Sequence, residues 1–214
     1  WFAAGLKAAL ARAGISVGGA ARAVRWPEVS AQAASDVRLG EVVSPPLREY
    51  LGVMMKQSQN LQADLIFAHL GELRRTATTP ATMRAEDLAL TGLREFLTRH
   101  ALPVNDVIFD EGSGLSRNNL TTATATLALL EFMAKHGEAK AFAESLPIAG
   151  VDGSLRRRMK GTPAEGKVLA KTGTLRWTTA LSGYVTSLAG ERLAFSLMLN
   201  RFPAAPGRSA SREL

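Results

Sequence analysis

The sequence predicts an α+β fold, and three observations carry that expectation. Apolar residues recur at helical spacing through the first two thirds of the 214 residues. From Lys167 onward the spacing changes to two. The last two alternating runs are joined by Ala189-Gly190-Glu191, a connection short enough to demand an antiparallel hairpin. Helices first and an antiparallel hairpin last is the α+β order of elements.

The elements follow in order. Residues 1–13 predict an amphipathic helix with Gly14 as its stop. Residues 15–43 predict short strands and loops, with Ile15-Ser16-Val17 and Glu41-Val42-Val43 as the strand candidates. Ser44 before Pro45-Pro46 predicts a helix cap, followed by a helix to about Met55. A polar patch, Lys56-Gln57-Ser58-Gln59-Asn60, precedes a second apolar run from Leu61 to Leu70. Residues 82–99 predict a further helix, Val107-Ile108-Phe109 a short strand, and Asp110 to Ser116 a small-residue loop. Residues 121–135 are helical by period, and the turn Gly150-Val151-Asp152-Gly153 precedes a short basic helix. Val168–Thr174, Ala180–Leu188 and Arg192–Asn200 predict three strands. The Pro- and Arg-rich tail from Pro203 is expected to fray. No repeat or linker marks a second domain, so residues 1–214 read as one portion of a domain. Three strands are too few for these helices to cover, and the sheet is expected to gain strands from sequence outside this chain.

Composition narrows the chemistry. The chain has no cysteine, which excludes disulfides, thiol catalysis and Cys-ligated metal. His69, His100 and His136 each fall near the end of a helical pattern, without metal-ligand spacing. Net charge is +7, but the basic residues are dispersed. The densest group, Arg156-Arg157-Arg158 and Lys160, lacks neighbouring aromatics to stack bases, so no nucleic-acid partner is expected. No apolar run reaches the length of a membrane span. Lys7 and Arg12 interrupt the apolar start, so it does not read as a signal peptide, and the start at Trp1 suggests a mature or truncated product.

The strongest local signal is Lys171-Thr172-Gly173-Thr174 at the end of a predicted strand. The Lys supplies charge and passes protons, the Thr hydroxyl binds a carboxylate, and the Gly admits a ligand close to the backbone. A free N–H on such an edge can face a developing oxyanion. Taken alone, the tripeptide reads more readily as a strand end with a solvated lysine. Two Ser-x-Asn triplets accompany it, Ser58-Gln59-Asn60 and Ser116-Arg117-Asn118.

The stretch from Leu169 to Asn200, together with GVDGSLRRRMKGTPAEGKVLAKTG, GSGLSRNNL and SPPLREYLGVMMKQSQNLQADLIF, resembles the D-alanyl-D-alanine carboxypeptidase/endopeptidases. These are the low-molecular-mass class C penicillin-binding proteins. The resemblance runs from Trp1 to about Phe202 in the family's order and covers the C-terminal part of those enzymes. It implies a β-lactamase/transpeptidase-like domain, an antiparallel sheet flanked by helices, with the N-terminal strands and the Ser-x-x-Lys helix absent from this chain. It implies that Ser58, Asn60, Lys171 and Thr174 are catalytic, because Lys56-Gln57-Ser58-Gln59-Asn60 has the setting of the family's triplet. It implies substrate contacts by Thr172, Gly173, Ser113, Gly114 and Arg117. Glu111 stands where the family usually shows Asp, and the loop around it also reads as a backbone turn that supports the cleft.

The implied reaction is acyl transfer without a cofactor or metal. A serine activated by the Lys of Ser-x-x-Lys attacks the penultimate D-Ala carbonyl. Ser58 relays a proton toward the leaving amine and Asn60 holds the substrate amide. Lys171 and Thr172 take the terminal carboxylate, and the Thr174 N–H contributes to the oxyanion hole. The implied partners are peptidoglycan stem peptides, and β-lactams as covalent inhibitors of the complete enzyme. The implied place is periplasmic or otherwise extracytoplasmic, with contact to the membrane surface left open. No serine in the chain is followed by Lys three positions later. Ser35-Asp36-Val37-Arg38 and Ser154-Leu155-Arg156-Arg157 come nearest, and Arg cannot act as a base. The chain is therefore expected to form one wall of the cleft and no acyl-enzyme alone. The alternatives are a non-catalytic wall-binding homologue or fragment and a serine β-lactamase. Gln59 counts against the β-lactamase, which wants Ser-Asp-Asn.

Overall fold

The computed structural model describes residues 1–23, 37 and 40–201. The chain divides into two compact units, Trp1–Val43 and Ser44–Leu214. In the first, α1 (Phe2–Arg12) ends at Ala13 and Gly14, whose positive φ of 78° lets the chain turn away. The described parts of the two early strand candidates carry no strand. Val42 is fully exposed and Ile15 half-exposed, and a β-branched segment with no strand paired alongside does not form a ladder. The predicted fraying tail lies outside the described residues.

The second unit opens with α2 (Leu47–Gln57), α3 (Asn60–Glu72) and α4 (Ala85–Arg99). Ser44 does not cap α2; Pro46 holds that position without a side-chain bond. The Pro pair leaves Ser44 two residues short of the helix start. α3 and α4 pack closely where Gly71 meets Ala85, since a Cβ on Gly71 would lie 1.8 Å from the Ala85 carbonyl oxygen. Phe67, Ala89 and Leu97 are buried in α3 and α4.

Next, β1 (Val107–Ile108) pairs antiparallel with β2 (Leu120–Thr121) and pinches the intervening residues into a closed loop. Thr121 is thus in a strand rather than the predicted helix. α5 (Ala123–Lys135) starts after Thr122, whose hydroxyl accepts the Ala125 N–H at 3.0 Å. α6 (Ala139–Ser145) follows, a short helix the periodicity did not predict. The expected basic helix after Gly153 shrinks to one 3-10 turn, Gly153–Leu155. Met159 and Gly161 both take positive φ, which an α-helix cannot continue through.

The sheet is β3 (Val168–Leu175), β4 (Thr178–Thr186) and β5 (Arg192–Asn200), antiparallel in that order. Its two faces bury different partners. Val168, Ala170 and Leu181 pack with Ala149 and Leu155 on one face, with Phe195 beside them. Tyr184, on the other, packs with Leu130 and Leu146, with Met55, Phe142 and Leu169 beside them. The Tyr184 hydroxyl donates to the Leu130 carbonyl at 2.6 Å, which satisfies a buried polar group and contributes about 1 kcal/mol. Among the described residues, no helix is long and apolar enough to cross a membrane.

Candidate active site

β3 is an edge strand whose free side has two halves. Near its start the edge is covered: the Ala170 N–H donates to the Pro147 carbonyl, and the Ala149 N–H to the Val168 carbonyl, each at 2.9 Å. From Lys171 to Leu175 the edge is open and lines a cleft of about 640 Å³. Alternation along an antiparallel strand sends the N–H groups of Ala170, Thr172 and Thr174 to the same side. The Thr174 N–H therefore faces away from β4, toward the cleft.

Opposite this edge stands the junction of α2 and α3. Ser58 ends α2 with φ 56° and ψ 54°, a left-handed conformation that a non-glycine residue adopts at a cost of order 1 kcal/mol. That turn starts α3 at once, with Asn60 as its first residue. Lys56 fixes the turn from behind. Its Nζ donates to Asp152 Oδ2 at 2.6 Å and to the Leu146 carbonyl at 3.0 Å, and Asp152 Oδ1 accepts the Ile148 N–H at 2.8 Å. The segment that covers the start of β3 is thus the segment that clamps the end of α2.

The consequence is a contact between residues 113 positions apart: Lys171 Nζ donates to Ser58 Oγ at 2.7 Å. The same ammonium donates to the Thr172 carbonyl at 2.7 Å. Burial pushes the Lys171 pKa below its ordinary 10.5, because desolvation disfavours the charged form. Thr172 Oγ1 lies 2.8 Å from Ser154 Oγ. A Cβ on Gly173 would meet only Ala180 Cβ, at an ordinary 3.7 Å. Among the described residues nothing requires glycine there, and the missing side chain leaves the cleft floor open.

The third side of the cleft is the loop between β1 and β2. Glu111 ties it internally, accepting the Ser113 hydroxyl and N–H, the Ser116 N–H at 3.1 Å and the Asn119 side-chain amide. Asp64, on α3, reaches across to accept the Gly112 and Ser113 N–H groups at 3.1 and 3.0 Å. Burial opposes charge on Glu111, but the donations from Ser113 and Ser116 prevail and hold its pKa at about 2. Burial and the Glu111 charge push Asp64 upward.

Ser58, Asn60, Ser113, Gly114, Lys171, Thr172, Gly173 and Thr174 all line this one cleft. Arg117 does not; it is exposed on the loop, outside the lining. The triplet Ser116-Arg117-Asn118 is occupied with loop structure, Ser116 Oγ donating to Asp110 at 2.6 Å. Sequence reasoning missed Ser154 and Asp64. Ser154 belongs to a turn marked only by its glycines, and Asp64 looks like any polar residue on a helix surface.

Comparison with known proteins identifies a family and a fold. The D-Ala-D-Ala carboxypeptidase 3 (S13) family matches residues 1–213. A D-alanyl-D-alanine carboxypeptidase of an Actinomadura species is 39% identical over 167 residues, covering 76% of this chain and 30% of the relative. Penicillin binding protein 4 of Haemophilus influenzae, solved with a β-lactam, aligns with a TM-score of 0.66 at 34% identity, over 77% of this chain and 37% of that one. The TLA-1 extended-spectrum β-lactamase shares the fold at a TM-score of 0.55 and 18% identity, over 77% of this chain and 59% of that one. The chain spans about a third of the length of the curated relatives it matches. Its α+β architecture is that of part of a β-lactamase/transpeptidase-like domain, and the chain belongs to the D-Ala-D-Ala carboxypeptidase 3 (S13) family.

Proposed function

We propose that this chain forms the Ser-x-Asn and Lys-Thr-Gly walls of a serine D,D-peptidase that acts on D-Ala-D-Ala ends or cross-links of peptidoglycan in the extracytoplasmic space. The nucleophilic serine belongs to a Ser-x-x-Lys segment outside these 214 residues. The single observation that carries the reading is the 2.7 Å bond from Lys171 Nζ to Ser58 Oγ. Two side chains far apart in sequence meet in a cleft, one a proton carrier and the other a hydroxyl relay.

The geometry supports the following steps. The outside serine gives its proton to the Lys of its own Ser-x-x-Lys segment as it attacks the penultimate D-Ala carbonyl, and the Thr174 N–H, turned to the open edge, receives the developing oxyanion. As the C–N bond breaks, Ser58 Oγ passes its proton to the leaving amine of the terminal D-Ala and takes back the one held by that Lys, with Lys171 as the cation that orients it. Thr172, paired with Ser154, takes the terminal carboxylate. Asn60, at the start of α3, holds the substrate amide. Gly173 admits the substrate backbone against the strand. Water then releases the acyl group. A β-lactam follows the first half, and the same cleft holds its acyl-enzyme.

The test is intact mass spectrometry of the full-length parent with excess benzylpenicillin. A one-to-one adduct that slows strongly in Lys171→Ala supports the reading. An adduct on the 22.8 kDa chain alone, or none on the parent, would sink it.

A further inference from the structure

The loop between β1 and β2 is held by a residue that no motif contains. Asp64 projects from the second turn of α3, and one of its oxygens, Oδ1, accepts the N–H groups of both Gly112 and Ser113. The Ser113 N–H is shared: it also donates to Glu111 Oε2 at 2.6 Å. Two carboxyl groups that converge on one N–H stand too close for both to be ionised at low cost. Burial, together with the Glu111 charge beside it, pushes the Asp64 pKa upward. Glu111 takes its other donations from Ser113 Oγ, Ser116 N and Asn119 Nδ2, which suit an anion. The loop also sits directly on this part of α3. A Cβ on Gly112 would lie 2.7 Å from both the Ala63 carbonyl oxygen and Phe67 Cβ.

We infer that Asp64 is a positioning residue for substrate selection: as the shared acceptor of the Gly112 and Ser113 N–H groups, it locks the Asp110–Asn119 loop onto the helix that begins with Asn60. The side of the cleft formed by Ser113, Gly114 and Leu115 then keeps a fixed distance from Ser58 and Lys171. Asp64 itself does not line the cleft, so it acts through the loop. The effect falls on a peptide long enough to reach the loop. A compact acylating agent that needs only the Ser58 and Lys171 side does not feel it. This inference rests on the function proposed above.

Asparagine is the conservative variant, since it keeps an acceptor oxygen for the two N–H groups. Alanine offers no acceptor. Asp64→Ser keeps a polar group but is too short for both N–H groups, and serves if the alanine variant does not fold. In the full-length parent, three quantities are measured: benzylpenicillin acylation, steady-state hydrolysis of a D-Ala-D-Ala-terminated stem peptide, and hydrogen exchange across residues 108–120. Asp64→Ala and Asp64→Ser are expected to raise the peptide KM roughly tenfold with kcat nearly unchanged, the pattern of lost substrate positioning. Acylation by benzylpenicillin stays within about twofold of wild type, and exchange at Gly112 and Ser113 speeds up roughly tenfold. Asp64→Asn is expected to match wild type in all three. Equal loss in Asp64→Asn and Asp64→Ala would overturn the inference, as would unchanged exchange in Asp64→Ala or an equal fall in penicillin acylation. A wild-type parent that neither acylates nor hydrolyses defeats the proposed function instead, and the exchange measurement still judges the lock.

Discussion

The two long sides of the cleft are built on opposite plans. The side made by Ser58 and the end of β3 is sparse: one lysine reaches one serine and one carbonyl, and the strand edge beyond it is open. The side made by the Asp110–Asn119 loop is dense, with Asp64, Asp110, Glu111 and Asn119 consuming most of its polar groups internally. Free donors face a ligand on the first side, and shape faces it on the second. Chemistry needs groups that exchange partners during a reaction, whereas positioning needs groups that do not. The two glycines make the same point. Gly173 is free of neighbours that would forbid a side chain, while Gly112 is pinned against α3.

The comparison can be broken from either side. The largest effect is expected from Lys171→Ala, which removes the cation from the sparse side. Penicillin acylation of the parent should fall about 10²- to 10⁴-fold, followed by intact mass against time. Gly173→Ala should come next: acylation and peptide turnover fall about tenfold or more, while the melting temperature changes little. If Gly173→Ala destabilised the fold and spared acylation, the open floor would have no catalytic meaning. Gly112→Ala should do the reverse, costing about 1–3 kcal/mol of stability by overpacking against α3, measured by urea unfolding.

The smallest effect is on acid stability. Glu111 has its pKa lowered from 4.5 to about 2, so the folded state favours its charged form. Its contribution is complete above 4.5 and is lost as pH falls through about 2. Asp64, raised above 3.8, acts in the opposite sense: its contribution is present at low pH and declines as pH rises through its folded value. Wild type should therefore exceed Glu111→Gln in stability above pH 4.5, with the gap closing toward pH 2. A gap that widened with acid would show that the folded state does not favour the charged form of Glu111.

Much of the Lys171 side of the cleft was legible in the sequence. Lys171-Thr172-Gly173-Thr174 lies on a strand, as its period requires, and Ser58 and Asn60 sit in the polar break between two apolar runs. The hairpin of β4 and β5 was legible for the same reason, since alternation and a glycine turn are local signals. The early strands, the Ser44 cap and the basic helix were not, because each depends on a partner or on a φ that nearby letters do not specify. The resemblance implied a substrate contact for Arg117 as for Ser113 and Gly114, but the loop leaves Arg117 outside the cleft lining.

By itself, the sequence determined the residue types that carry the chemistry and the local elements that present them: a strand end, a helix junction and a small-residue loop. Only the tertiary structure decided that these three meet. It selected Ser58 over Ser116 as the partner of Lys171, opened one half of the β3 edge while closing the other, and gave Asp64 a task through contacts about 48 residues away. The physical reason is range. Hydrophobic period, turn chemistry and motif spacing act over a few residues and are written in order along the chain. Hydrogen bonds between distant side chains depend on packing of elements whose approach no local pattern encodes.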